Sequence, residues 1–300
     1  MLVDGLQKPG AVRFDAQERL FVLDDATGEL FALDRKGDAW SKRLVTQLAT
    51  STDNMMPGPD GLIYVSNMAD STVHAVNPET GTARIVVAGG LGFPRTIAVQ
   101  YRAGGDRLHV ADGCAYRVID VPSGAVHDVA RAVTAKLKFP TSVSVNARHV
   151  LLTSEAFGII QVFDHDGRCV RDFEGFTQPS DAFECEDGSF IVTEPVAGRV
   201  LHKTGGAVLV LIEGLSFPSA LADAGDNAIY VAESNAGRLL WIDVATGTST
   251  CVASDLGLVR AITVAPDGEV AVLTGDGRLF TIIHRMATEC RSRAACQSVI

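Results

Sequence analysis

The sequence predicts an all-β chain closed into a seven-bladed β-propeller of four-stranded blades. Three observations carry that prediction. Two distant stretches, NAIYVAESNAGRLLWIDVATG at 227–247 and GLIYVSNMADSTVHAVNPETG at 61–81, share one pattern, with Ile229, Tyr230 and Val231 falling on Ile63, Tyr64 and Val65. The last residue of the apolar strand then recurs as Val22, Val65, Val110, Leu152, Val192, Val231 and Val272, at steps of 43, 45, 42, 40, 39 and 41 residues, which is a propeller-like period. Helical periodicity is nearly absent from these windows, which argues against an α-solenoid of similar repeat length.

Each repeat supplies its parts in one order. First strands are read at PGAVRF (9–14), PRTIAV (94–99), PTSVSV (140–145), PSDAFE (179–184), PSALAD (218–223) and VRAITV (259–264), with NMMPGPDG (54–61) the least regular copy. A turn with Gly, Asp or Asn leads to the apolar second strand, a polar loop to the third, and a turn that is often TG or DG to the fourth. Fourth strands are read at RIVVAGGL (84–91), AVHDVA (125–130), CVRDFEGF (169–176), AVLVLIEGL (207–215) and STCVASDL (249–256). Such short strands cannot bury an apolar face alone, so the units must stack around a ring. The last repeat, EVAVLTGDGRLFTIIH (269–284), lacks a fourth strand, and MLVDGLQKP (1–9) resembles fourth-strand and linker pieces elsewhere. Residues 1–5 are therefore expected to close the ring and remove its open edge. The reading is one domain over 1–284 and a tail over 285–300; a six-bladed ring is the alternative count.

Composition bounds the function. With 26 basic and 36 acidic residues the net charge is −10, which argues against a nucleic-acid surface. No apolar run is long enough to span a membrane and the N-terminus does not read as a secretory signal, so a cytoplasmic protein is expected; a monomer with a small-molecule ligand is the expected state. Cys114, Cys169, Cys185, Cys251, Cys290 and Cys296 form no Cys-x-x-Cys pair, against a zinc site of usual spacing. Cys290 and Cys296 are the one pair worth testing as a disulfide. No nucleophile elbow or phosphate-binding glycine loop is found.

Position in the repeat nominates two rings at the channel mouth. The inner ring, at the first-strand starts, includes Met55, Arg95, Ser142, Asp181, Ser219 and Arg260; there Arg95, Asp181 and Arg260 suit either an anion-binding set or a structural salt bridge. The second ring, at the second-strand ends, is Asp24, Asn67, Asp112, Glu155, Glu194 and Glu233. Its acceptors serve equally well to hold backbone amides, since they recur with the blade. None of the seven histidines is expected at the mouth.

The motif P-x-x-[IV] … [IL]-Y-V-[AS]-[DEN] … G-R-[LV] … [DN] … T-G resembles the NHL-type repeat, as found in the gluconolactonase and senescence-marker-protein group, strictosidine-synthase-like proteins and streptogramin B lyases. The resemblance covers 1–284 and implies a propeller, whose chemistry varies between these groups. The gluconolactonase-like pattern implies a metal-ligating Glu before the first Pro; Gln7 stands there. The streptogramin-lyase-like pattern implies a His in P-H-x-I and a Glu in W-F-x-E. IVTE (191–194) and YVAE (230–233) keep the second element, whereas PSAL (218–221) and VRAI (259–262) replace the first, with Arg260 where the His would be.

The leading expectation is a hydrolase or lyase acting on a small ester, lactone or cyclic metabolite at the channel mouth. Glu194, Glu233 and Asp181 are nominated for catalysis, Arg95, Arg260, Asp112 and Glu155 for ligand binding, and a divalent cation (Ca, Mg or Zn) is a conceivable cofactor. The alternatives are a non-catalytic propeller that binds a ligand or protein on the same face, and a propeller belonging to a larger multidomain protein.

Overall fold

The computed structural model describes residues 3–36, 39–102, 105–131, 137 and 139–284. Their strands form seven antiparallel sheets in which sequence neighbours pair side by side. The blades span 9–47, 52–88, 94–131, 142–174, 181–213, 218–253 and 259–283, and the inner strands of successive blades adjoin, the last one meeting the first. This is the closed seven-membered ring that the repeats predict.

Second strands are buried on both faces, and that is why they read as unbroken apolar runs. In Leu20–Asp24, Leu20 and Val22 face the last blade whereas Phe21 and Leu23 face the second. Seven apolar clusters result, each bridging two neighbouring blades. The core is thus divided among the blade junctions, and the ring's centre is left to polar side chains.

Six blades have four strands. Among the described residues the seventh has three and is completed by a single bridge, in which the Leu279 amide donates to the Val3 carbonyl at 3.0 Å. Val3 and Leu6 then pack into the apolar cluster between the last and first blades. The expected closing strand is therefore present as one bridge plus buried side chains. The irregular second copy forms its inner strand at Thr52–Pro57, slightly before the expected stretch. Residues 285–300, with Cys290 and Cys296, lie outside the described residues.

Gly recurs in the turn between second and third strands because the linker leaving the blade's fourth strand crosses there. Gly158 has φ +63° and a Cβ on it would lie 2.1 Å from the Phe176 carbonyl oxygen. Only a residue without Cβ permits that approach and that backbone conformation.

Candidate functional site

Acids at the second-strand ends of blades 1, 3, 5 and 6 staple each of those blades to the linker that enters it. Asp24 accepts the Gln7 and Lys8 amides at 2.6 and 3.2 Å. Asp112 accepts the Gly92 and Phe93 amides and pairs with Arg117 at 2.9 Å. Glu194 accepts the Thr177 amide and pairs with Arg199; Glu233 does the same with the Ser216 amide, at 2.7 Å, and Arg238. In blade 2, Asn67 inverts the pattern, its amide donating to the Ala49 and Thr50 carbonyls. Linker amides have no strand partner, and a buried unpaired amide is costly, so an acceptor at this point stabilises blades 1, 3, 5 and 6.

Glu194, Glu233 and Asp112 are 0, 1 and 2 % exposed. Of the residues nominated for catalysis and binding, these three have their oxygens engaged inside the blade. Glu155 is exposed in the following turn; the position equivalent to Glu194 is Ser154, whose buried Oγ has no hydrogen-bond partner. The one-residue offset arises because blade 4 carries a hydroxyl where its neighbours carry a carboxylate.

The inner ring divides differently. Met55 is fully buried in the core between blades 1 and 2. Arg95 is half-buried near Asp53, whose carboxyl is pushed up by burial against the pull of Arg95. Arg260 is exposed at the mouth. Asp181 occupies the channel wall at the start of the strand Asp181–Glu184. One of its oxygens accepts the Ala182 amide at 3.0 Å and the Ser142 hydroxyl at 3.4 Å. Burial pushes its carboxyl up to about 6, against the Ala182 hydrogen bond, the charge of Arg13 and the Ser142 hydroxyl. Arg13 reaches into the channel from blade 1. Its guanidinium is lowered by burial and supported by Asp181, yet the two make no ion-pair contact, and Arg13 donates to the Val12 carbonyl at 2.8 Å.

Asp181 also lines a cavity of about 310 Å³ with Ser144, Asn146, Phe183, Glu184 and Asp223. Adjoining cavities of about 560 and 430 Å³ share Asp223 and open around the turns between first and second strands. These spaces lie toward the first-strand ends, opposite the mouth nominated from sequence. Glu184, at their edge, is held by Asn146 at 3.0 Å and His149 at 2.8 Å. Burial alone would push its carboxyl up; those hydrogen bonds and the nearby His149 and Arg148 charges bring it below its ordinary value.

Sequence reasoning missed Arg13, Asp53, Glu184 and Asp223. Their periodic positions marked them only as strand or turn residues. Among the described residues no group of three or more His, Cys, Asp or Glu side chains could hold a metal ion, so the residues present do not supply the divalent-cation site considered from sequence.

These features define a β-propeller with a polar channel and cavities at one end. No family model matches the chain, and no curated protein matches it by sequence. Solved structures share its fold. A streptogramin B lyase structure superposes with a TM-score of 0.77 at 13 % identity, over 92 % of this chain and 93 % of that one. Virginiamycin B lyase from Staphylococcus aureus gives 0.77 at 10 %, over 94 and 97 %. Hydrazine synthase from Kuenenia stuttgartiensis gives 0.77 at 16 %, over 96 and 99 %. At these identities the likeness is one of fold, and proteins named for different chemistries share it.

Proposed function

We propose that the protein is a hydrolase or lyase acting on a small ester, lactone or cyclic metabolite, with Asp181 as its proton-transfer group. The observation that carries this reading is a carboxyl raised to about 6 by burial that lines a cavity of about 310 Å³. Such a group exchanges protons near neutrality, as a general acid or base must. Glu194 and Glu233 are each tied to an amide and an Arg inside the blade, away from the cavity. Arg13, across the channel, supplies positive charge toward negative charge developing on the substrate, and the Ser142 hydroxyl orients the carboxyl. Two of the structural neighbours are named as lyases, which is consistent with this reaction class.

The test is a panel of lactones, aryl esters and cyclic depsipeptides assayed with the native protein and with Asp181→Asn. Turnover that depends on an ionisation near pH 6 and falls about 10²–10⁴-fold in the variant is expected. Turnover unchanged in Asp181→Asn, or none anywhere on the panel, overturns the assignment.

A further inference from the structure

Large apolar side chains are exposed on the face opposite the cavities, and they occupy equivalent positions. The residue just before the inner strand is Phe93 in blade 3, Phe139 in blade 4, Phe217 in blade 6 and Leu258 in blade 7, exposed by 51, 42, 41 and 45 %. The turn between second and third strands adds Phe157 in blade 4 and Val196 in blade 5, exposed by 49 and 62 %. Backbone bonds hold the two sets on one face: the Ser234 amide donates to the Phe217 carbonyl and the Gly275 amide to the Leu258 carbonyl, at 3.0 and 2.7 Å. The Phe139 and Phe157 rings stack at 5.5 Å. An apolar arc therefore runs over blades 3 to 7. Blades 1 and 2 interrupt it with Lys8 and Ser51 at the equivalent position, beside Asp25 and Asp53.

The backbone makes these aromatics more telling. Phe139 and Phe217 have φ of +43° and +63°, and Gln178, at the same place in blade 5, has +49°. The linker imposes this left-handed conformation, which glycine adopts freely and a bulky residue does not. A phenyl ring adds strain there and is exposed, so folding does not account for it. Exposed apolar surface of this extent marks a contact site. Charge narrows the occupant. Arg95 and Arg260 stand one at each end of the arc, and neither makes an ion pair among the described residues.

We propose that this face docks an extended segment of a partner protein that lays apolar side chains on the arc and presents a carboxylate to Arg260 or Arg95. The net charge of −10 disfavours an anionic membrane. The arc is independent of the reaction proposed at Asp181.

The test pans a random peptide library displayed on phage against the immobilised full chain, then measures selected peptides on variants. Phe139→Gly with Phe217→Gly removes both rings where glycine suits the backbone, so the variant keeps its fold, which its melting temperature checks. Selected peptides rich in apolar residues and Asp or Glu, with affinity lowered at least about tenfold by the glycine pair and about fivefold by Arg260→Gln, are expected. No enrichment, or peptides that bind the glycine pair as well as the native chain, overturns the proposal. So does co-sedimentation with phosphatidylcholine–phosphatidylglycerol vesicles, or a dimer in light scattering, that the same substitutions abolish; these assign the arc to lipid or to a second copy.

Discussion

Glu194 and Asp181 are acids of one blade, and they are separated by little more than a strand pairing, since Asp181 lies opposite Thr193. Their surroundings differ. Glu194 has an amide and a guanidinium as partners, whereas Asp181 has one amide, a longer hydroxyl contact and a cation across the channel. The blade surrounds the first with donors and leaves the second with few, and burial pushes the second's carboxyl up to about 6. Burial alone therefore does not separate a structural acid from a chemical one; the number of donors does.

The comparison breaks first at the staple. Glu194→Ala leaves the Thr177 amide without its acceptor, and Arg199 turns to water because its side chain is already 33 % exposed. A loss of about 3 kcal/mol is expected in urea unfolding, and Glu233→Ala should match it. A loss below about 1 kcal/mol in both would show that the staple does not hold the blade. His109 extends the comparison to a group fixed as neutral. The Gln100 carbonyl oxygen can only accept, so the ring proton sits on Nε2 at 3.1 Å, and Nδ1 accepts the Tyr116 hydroxyl at 2.6 Å. Burial lowers its pKa to about 3, helped by His165, Arg107 and Arg102. The folded value lies below the unfolded one, so stability is full above about pH 6.5 and falls by about 1.4 kcal/mol per pH unit below it, until about pH 3. His109→Gln should flatten that part of the stability profile. An unchanged slope in the variant would place the proton uptake elsewhere.

The repeats made the ring legible because a blade's second strand is buried on both faces and must be apolar throughout. They also made the staple residues visible, at Asp24, Asn67, Asp112, Glu194 and Glu233, but not their work: their partners include backbone groups of the linker, amides for the four acids and carbonyls for Asn67, which no side-chain pattern records. In blade 4 the substitution of a hydroxyl shifted attention from Ser154 to Glu155. The channel was hardest to read. Asp181 was identified, yet its relation to Arg13 depends on two blades meeting across a ring, and local periodicity carries no such information. Phe139 and Phe217 lie just before the strands read from Pro140 and Pro218, where the sequence pattern does not single them out; their exposure and left-handed backbone do.

The smallest effect discriminates best between the two acids. Asp181 has a folded value of about 6, above its ordinary 3.8, so the native state binds that proton more tightly than the unfolded chain does. Its buried carboxylate therefore destabilises the fold above about pH 6, and the penalty disappears as the pH falls toward 4. Asn is neutral throughout. Asp181→Asn should gain about 1–2 kcal/mol over the native protein near pH 8 and nothing near pH 4, and subtracting the two profiles removes the His109 contribution common to both. A variant less stable than the native protein near pH 8 would mean that the Asp181 carboxylate stabilises the fold, and its role as a proton-transfer group would go with it.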